Sequence, residues 1–146
     1  MSKLLNIDKI KKELKKFPDR KPFPFAVIDN FFKNNIAKEL EIDFPEYLDK
    51  HAWYNYDNFV ERKKTSNNWN IFPKKTYQIF QLLISDEFVK FLQKELTNYS
   101  KLYSDPGLYG GGWHIQKSGD KLNLHLDNSI HVKSNLVRRL NLIVYL

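Results

Sequence analysis

The stretch KLNLHLDNSIH, residues 121–131, decides which fold this chain can adopt. Leu122, Leu124 and Leu126 alternate in it with polar residues. Such a period of two is typical of a β-strand with one buried face. It predicts that His125 and Asp127 stand side by side on the polar face, with their Cβ atoms about 7 Å apart by strand rise.

A histidine and an aspartate at this spacing form a candidate metal-binding pair. A neutral imidazole together with a carboxylate suits Fe(II), Zn(II) or Mn(II) better than Ca(II). The spacing H-x-D also occurs by chance on exposed polar strand faces, since short motifs match many chains. The choice between these two interpretations therefore depends on the surrounding sequence.

The composition is typical of one globular domain that folds without disulfides. The chain has 146 residues, 42% of them hydrophobic, and it contains no cysteine. The missing cysteines exclude a zinc–thiolate site and a thiol nucleophile. The first residues, MSKLLNIDKIKKELKK, are too charged for a secretory signal, and no apolar run is long enough to cross a bilayer. We therefore expect a cytoplasmic protein without a membrane partner.

Lys and Arg outnumber Asp and Glu by 24 to 17, which gives a formal charge of +7. Nucleic-acid binding is one explanation of such a charge. The lysines are spread along the chain, however, and no basic stripe with interleaved aromatic residues is present. Nucleic acid is therefore the partner that the sequence favours least.

The upstream sequence predicts helices first and strands afterwards. Apolar residues recur at helical spacing over 4–17, and residues 73–102 carry two further helices, the second capped by Ser85. Residues 25–32, FAVIDNFF, predict a strand that leads into a helix capped by Asn30 or Asn34. Residues 51–73 are irregular and aromatic, which predicts a surface loop. This order indicates an α+β fold with helices packed on one side of a sheet.

The residues around H-x-D resemble a known family. The run DPGLYGGGWHIQKSGDKLNLHLDNSIH, residues 105–131, is followed by RRLNLIVYL, residues 138–146. Together they resemble the Fe(II)- and 2-oxoglutarate-dependent dioxygenases of the prolyl 4-hydroxylase-like group. The upstream pieces PFPFAVIDNFF, ELEIDFP and LISDEFVKFLQKELT also look like the family's first strand and helices, so the resemblance begins at about Pro22.

The resemblance implies a double-stranded β-helix, or jelly-roll, core with an iron site. Fe(II) would be held by two histidines and one carboxylate, with 2-oxoglutarate and O2 as cosubstrates and ascorbate as a candidate reductant. His125 and Asp127 match the first two iron ligands. Tyr145 matches a tyrosine that contacts the distal carboxylate of 2-oxoglutarate.

Four further residues are weaker candidates for the same site. Strand alternation places Asn141 on the same face as Tyr145, and Gln116 lies on the strand before the turn, so both are candidates for cosubstrate contact. Arg138 matches an arginine near the pocket mouth in relatives, although an exposed strand-end arginine explains it equally well. We expect a structural or substrate-side role for His131.

The resemblance also implies a second iron-binding histidine well after H-x-D and, beyond it, a basic residue that anchors 2-oxoglutarate, and the sequence stops before either position. We therefore expect residues 1–146 to be a single, truncated dioxygenase domain that does not turn over alone. Its predicted parts are a helical extension over 1–21, a strand with supporting helices over 22–104, and the first strands of a jelly roll, incomplete at the C-terminus, over 105–146.

The leading functional prediction is hydroxylation of a C–H bond in a protein side chain, a glycan or a small molecule, and the substrate and oligomeric state stay open. The alternative is a non-catalytic jelly-roll module that binds a sugar or a partner protein. Its support is a set of aromatic residues able to stack on sugar rings, namely Trp53, Tyr54, Tyr56 and Trp69.

Overall fold

The fold comes from a computed structural model, and the structure describes residues 1–96 and 101–146. Within these ranges it combines α-helices with an antiparallel sheet, which confirms the α+β class. The chain forms two compact units: Met1–Glu41 with Lys74–Ser104 and Leu146, and Ile42–Pro73 with Asp105–Tyr145. A jelly-roll core within a single domain stays a prediction.

The helices of the described residues form where the apolar spacing predicts them. They are α1 (Ile7–Leu14), α2 (Ile36–Asp43), α3 (Lys74–Leu83) and α4 (Asp86–Glu95). In α1 the apolar stripe buries Ile10 and Leu14, while most of its lysines stay in solvent. Because burial of apolar surface is the main favourable term in folding, this stripe fixes which face of α1 is turned inward.

The predicted cap of α4 is confirmed. The Ser85 hydroxyl accepts a hydrogen bond from the Phe88 backbone N–H at 3.2 Å, which satisfies one of the free donors of the first turn. Phe88 is 1% exposed and Leu96 is buried, so the face predicted for this helix does point inward. The last part of this predicted segment, residues 97–100, lies outside the described residues.

The strand predicted over 25–32 is wrong. In the described residues only Phe32 pairs there, in an isolated bridge with Leu5. Asn30 and Asn34 both adopt left-handed backbone, with φ of 54° and 55°, which asparagine tolerates better than most residues and which interrupts an extended chain. Neither residue caps α2. The first backbone hydrogen bond of this helix runs from Glu39 N–H to the Asn35 carbonyl, so Asn35 occupies the capping position.

The surface loop predicted over 51–73 is also wrong, because this segment forms the centre of the sheet. The strands are β1 (Tyr54–Asp57), β2 (Glu61–Ser66), β3 (Trp113–Ile115) and β4 (Lys121–Leu122). All pairs are antiparallel, with β2 between β1 and β3 and with β4 also paired to β2. The turn between β1 and β2 is closed by the Asn58 side chain, which accepts the backbone N–H groups of Val60 and Glu61 at 2.9 Å each.

An aromatic cluster forms the core of the second unit. Trp113 on β3 is 6% exposed and lies against the rings of Phe72, Phe44 and Trp53, with centroids 4.8, 5.5 and 6.2 Å away. The Trp53 indole donates to the Glu46 carbonyl at 2.8 Å. Such packing is the usual use of large aromatic side chains.

The aromatic set proposed for sugar stacking is therefore divided. Trp53 is buried in this cluster, and Trp69 packs edge-on against Phe72 with the ring centroids 5.5 Å apart. Tyr54 and Tyr56 pack against each other on β1, where Tyr54 is 66% exposed. Of the four rings, only Tyr54 is exposed, whereas Tyr56 and Trp69 are half-buried.

The strand predicted around H-x-D ends earlier than expected. β4 stops at Leu122, and the last ladder-like bond is donated by Asn123 N–H to the Val60 carbonyl at 2.8 Å. Beyond Val60, the backbone that pairs with β4 enters the turn of the β1–β2 hairpin. Residues 124–127 therefore have no strand opposite them. Leu124 and Leu126 are consequently fully exposed instead of forming a buried face.

The apolar segment 138–146 also forms no regular strand in the structure. Its alternation therefore does not put Asn141 and Tyr145 on one face of a sheet. No helix within residues 1–96 or 101–146 is both long enough and apolar enough to cross a membrane.

Candidate functional site

The predicted ligand pair lies together even though no strand carries it. His125 Nε2 is 3.3 Å from Asp127 Oδ1. His125 Nδ1 lies 2.8 Å from the Asn123 carbonyl oxygen. Because a carbonyl can only accept, this contact places a proton on Nδ1 and leaves the lone pair of a neutral ring on Nε2. Two electron-rich atoms then face each other, and a proton or a metal ion between them makes the contact favourable.

The other carboxylate oxygen of Asp127 is held by two further side chains. Asn141 Nδ2 donates to Oδ2 at 3.1 Å, and Arg138 Nη1 lies 3.3 Å from the same atom. The Asn141 hydrogen bond is the largest cause that holds the pKa of Asp127 below its ordinary value; partial burial opposes it, the charge of Arg138 adds to it, and His125 contributes less. The group is therefore an ionised carboxylate whose free oxygen is directed at His125.

A short hairpin brings these residues together from distant points in the sequence. Ile130 and Val137 form an antiparallel bridge, and Arg138 N–H donates to the Ser129 carbonyl at 2.8 Å. Asn135, with φ of 58°, turns the chain between the two arms. An open depression of about 300 Å³ lies beside Asp127 and is lined by residues 127–129 and 138–141. Asp127 lines this depression, whereas His125 does not.

His131 is used inside this hairpin. Its Nδ1 accepts the backbone N–H groups of Lys133 and Ser134, each at 3.2 Å. Its Nε2 is shielded from solvent and lies 3.2 Å from Asp105 Oδ1, off the line of a hydrogen bond. The ring also lies against Tyr109, with centroids 5.3 Å apart. Both ring nitrogens therefore face polar groups of the chain itself, and a substrate-side role for His131 stays a prediction.

The candidates Tyr145 and Gln116 are not joined to the pair. Tyr145 is 89% exposed, and in the described part of the chain neither side chain makes a hydrogen bond. His114 lies on the outward side of β3, opposite to buried Trp113, and Gln116 follows the end of this strand. Burial, followed by the charge of nearby Lys63, lowers the pKa of His114 below its ordinary value. The cosubstrate role of Tyr145 and Gln116 stays a prediction.

Sequence reasoning found the members of this site but not all of their contacts. Arg138 and Asn141 were expected to meet substrate and cosubstrate, whereas in the structure both hold Asp127. The polar Asn141 within the apolar run NLIVYL was the signal that it had a partner. The contact of His125 with the Asn123 carbonyl could not be predicted from the sequence, because every residue carries a backbone carbonyl.

Within the described residues the candidate metal site consists of His125 and Asp127 alone. No third His, Cys, Asp or Glu in residues 1–96 and 101–146 joins the pair in a group able to hold a metal ion. In comparisons with known proteins, no family model matches the chain, and neither a curated protein nor a solved structure matches it. The resemblance to dioxygenases thus depends on the motif residues alone.

Proposed function

We propose that His125 and Asp127 supply two of the protein ligands of an Fe(II) centre in a 2-oxoglutarate-dependent oxygenase that hydroxylates a substrate C–H bond. The observation that carries the proposal is the 3.3 Å approach of His125 Nε2 to Asp127 Oδ1. Two atoms this close can both lie at ordinary ligand distances of about 2.0–2.2 Å from one ion. One imidazole nitrogen and one carboxylate oxygen are also the donor types of the two-histidine, one-carboxylate triad.

The contacts around the pair are those that a ligating histidine and carboxylate need. A ligating histidine usually donates its other N–H to a carbonyl or carboxylate, as His125 does to the Asn123 carbonyl. Ligating carboxylates are in turn hydrogen-bonded, as Asp127 is by Asn141 and Arg138. These partners keep the imidazole lone pair and the carboxylate charge directed at the same point.

Each residue has a definite role in the proposed reaction. When bound, the iron together with 2-oxoglutarate would supply the activation of oxygen that C–H hydroxylation requires. His125 and Asp127 orient the ion, while Arg138 and Asn141 keep Asp127 ionised and fixed in orientation. The depression beside Asp127 offers the adjoining space for an organic ligand. The jelly-roll core belongs to this proposal, supported by the order H-x-D, polar hairpin and Arg-led apolar segment.

Iron in this class takes a third protein ligand, and the described residues contain none beside the pair. The proposal therefore assigns two positions of the triad to these residues and leaves the third to a group outside them. It predicts weak metal binding by the chain alone. A bidentate cosubstrate should strengthen this binding, because it adds two oxygen donors to the same ion.

The test is a cobalt titration of the untagged chain, with and without 2-oxoglutarate, followed by visible absorption. Co(II) serves as an air-stable stand-in for Fe(II). We expect one cobalt per chain, and a loss of affinity of about tenfold or more in His125→Ala and in Asp127→Asn, because each removes a ligand. Exposed His51, whose backbone N–H alone bonds to Asp49, provides the control His51→Ala.

Equal cobalt affinity in the unmodified chain and all three variants would mean that the pair is an ordinary surface contact, and the proposal would fail. If cobalt affinity falls only in His125→Ala and Asp127→Asn, the proposal is supported. We then expect a protein that also contains the third iron ligand to release succinate from 2-oxoglutarate in an Fe(II)-dependent reaction. Metal binding at the pair without any effect of 2-oxoglutarate would also contradict the oxygenase assignment.

A further inference from the structure

A second concave surface lies in the unit that carries the sheet, between the β1–β2 hairpin and the turn over 117–120. Its volume is about 380 Å³, within the usual range for pockets that take small molecules. Tyr47 and Tyr56 contribute aromatic wall, and Lys64 and Lys117 contribute ammonium groups. None of these residues belongs to the His125–Asp127 pair.

Two of the cations at this surface are not neutralised by an ion pair. Arg62 is paired with Asp57 at 3.0 Å, and Lys63 with Glu61 at 2.8 Å. Neither Lys64 nor Lys117, by contrast, forms an ion pair with any described carboxylate, and each stands over the ring of Tyr47.

Their positions over the ring are well defined. The two Nζ atoms lie 4.1 Å (Lys64) and 4.7 Å (Lys117) from the centroid of the Tyr47 ring. Lys64 Nζ also donates to the Tyr47 carbonyl at 2.6 Å, which fixes its position. Cation–π contacts of this kind hold an ammonium in place and leave its charge available to an anion.

The turn beside these lysines adds further donors. It is closed by Asp120 N–H donating to the Lys117 carbonyl at 2.9 Å, with Gly119 at φ of +88°, a conformation that glycine adopts without strain. The Asp120 carboxylate accepts Lys117 N–H at 2.9 Å and the Tyr47 hydroxyl at 3.1 Å. In the described residues no acceptor is bound by the N–H groups of Ser118 and Gly119 or by the Ser118 hydroxyl.

We propose that this surface binds a small organic phosphate, with the phosphate group received by Lys64, Lys117 and the backbone N–H groups of Ser118 and Gly119. Its polar groups are mostly donors: two ammonium groups stand against the single unpaired carboxylate of Asp120, whose oxygens already accept two bonds. Consecutive backbone N–H groups in a turn form an anion-binding concavity, and a phosphate is an acceptor-rich anion that matches it.

The geometry favours a small ester over a polyanion. The free donors line a single depression, whereas a nucleic-acid backbone needs a row of cations along its length. The rest of the depression, walled by Tyr47 and Tyr56, leaves room for an organic group larger than phosphate itself.

The experiment is calorimetric titration of the chain at low ionic strength with ribose 5-phosphate, inorganic phosphate and ribose. We expect ribose 5-phosphate to bind, inorganic phosphate to bind more weakly, and ribose not to bind. Lys117→Gln keeps most of the side-chain stem over the Tyr47 ring but removes the charge. It should weaken ribose 5-phosphate binding by about tenfold, the loss of one charge-assisted hydrogen bond.

The controls separate this site from a general effect of positive charge. Lys133→Gln, an exposed lysine on the 129–138 hairpin, should leave binding unchanged, and Lys117→Arg should retain most of it. All variants should keep the thermal midpoint of the unmodified chain. Equal losses in Lys117→Gln and Lys133→Gln, or equal affinity for ribose and its phosphate, would overturn the proposal. Equal affinity for inorganic phosphate and the ester would overturn the organic part of it.

Discussion

The β1–β2 hairpin and the segment 123–127, which carries the His125–Asp127 pair, each form the structure that their sequences predict least. The hairpin pairs as regular strands, whereas the segment does not. The hairpin sequence is polar and irregular, yet Tyr54 to Asp57 pair in register with Thr65 to Arg62. The segment 123–127 alternates as a strand should, yet it leaves the ladder after Asn123. A strand needs a partner whose backbone is free at the right place, and alternation of side chains does not provide one.

This difference explains how the ligand pair is held. A residue within a ladder is oriented by its backbone, whereas His125 and Asp127 are oriented by contacts with the Asn123 carbonyl and with the side chains of Asn141 and Arg138. The pair should therefore respond to the loss of single contacts, while the sheet should respond to changes in backbone packing. Each of the following experiments tests one side of this contrast.

The largest effect is expected where the sheet needs a glycine. Gly112, just before β3, has a φ of +93°, and a Cβ there would lie 2.2 Å from the Ser66 carbonyl oxygen. Gly112→Ala should lower the free energy of unfolding by about 3 kcal/mol or more, since it combines backbone strain with a clash against β2. Urea denaturation measures this loss.

Gly119 is the matched control for that experiment. Its φ of +88° is similar, but no atom lies within 4 Å of the position its Cβ would take. Gly119→Ala should therefore show the cost of left-handed backbone alone, about 1–2 kcal/mol. If both variants lost the same stability, close packing of β3 on β2 would not be what requires Gly112.

A smaller effect is expected at the turn of the hairpin. Asn58→Ala removes the side-chain oxygen that accepts the N–H groups of Val60 and Glu61. We expect a loss of about 1 kcal/mol, since exposed N–H groups regain water in place of the lost bonds. Hydrogen exchange of the β2 amides should accelerate accordingly. The strand variant Asn55→Ala, also exposed, should leave exchange in β2 nearly unchanged, and equal acceleration in both would argue against the turn as the origin of the pairing.

The sequence predicted those parts of the fold that depend on local pattern. The apolar stripe of α1 and the Ser85 cap of α4 are settled within one or two turns of chain, so they are readable in the sequence. The hairpin was missed because its residues carry little apolar signal and its stability depends on the Asn58 turn. The end of β4 was missed because it is set by Val60, far away in the sequence.

The candidate site was predictable in its members and not in their arrangement. H-x-D predicted His125 and Asp127 as a pair, and the structure brings their side chains within 3.3 Å, whereas a metal between them stays a proposal. The contact of Asn141 with Asp127 spans fourteen positions and depends on the 129–138 hairpin, whose turn residue Asn135 carries only a weak signal. Tyr145 is the opposite case: the resemblance singled it out, yet its side chain is 89% exposed and makes no hydrogen bond to the pair among the described residues.

The smallest effect is expected at the ligand pair and concerns a pKa. The Asn141 hydrogen bond is the largest cause that holds the pKa of Asp127 below the ordinary value of 3.8. The ionised carboxylate therefore stabilises the folded chain above about pH 3.8, and this contribution is lost as the pH falls through the lower folded-state pKa. Asn141→Ala should raise the midpoint of the Asp127 carboxyl titration, followed by carbon-13 NMR, and should have little effect on stability because both groups are largely exposed.

Asn128→Ala is the control for this titration, because Asn128 lines the same depression but makes no hydrogen bond to Asp127 among the described residues. It should leave the midpoint where it is in the unmodified chain. An unchanged midpoint in Asn141→Ala would mean that the charge of Arg138, and not the Asn141 hydrogen bond, keeps the carboxylate ionised. The orientation of Asp127 towards His125 would then depend on charge, and the contrast with the ladder-bound sheet would be weaker, because charge is less directional than a hydrogen bond.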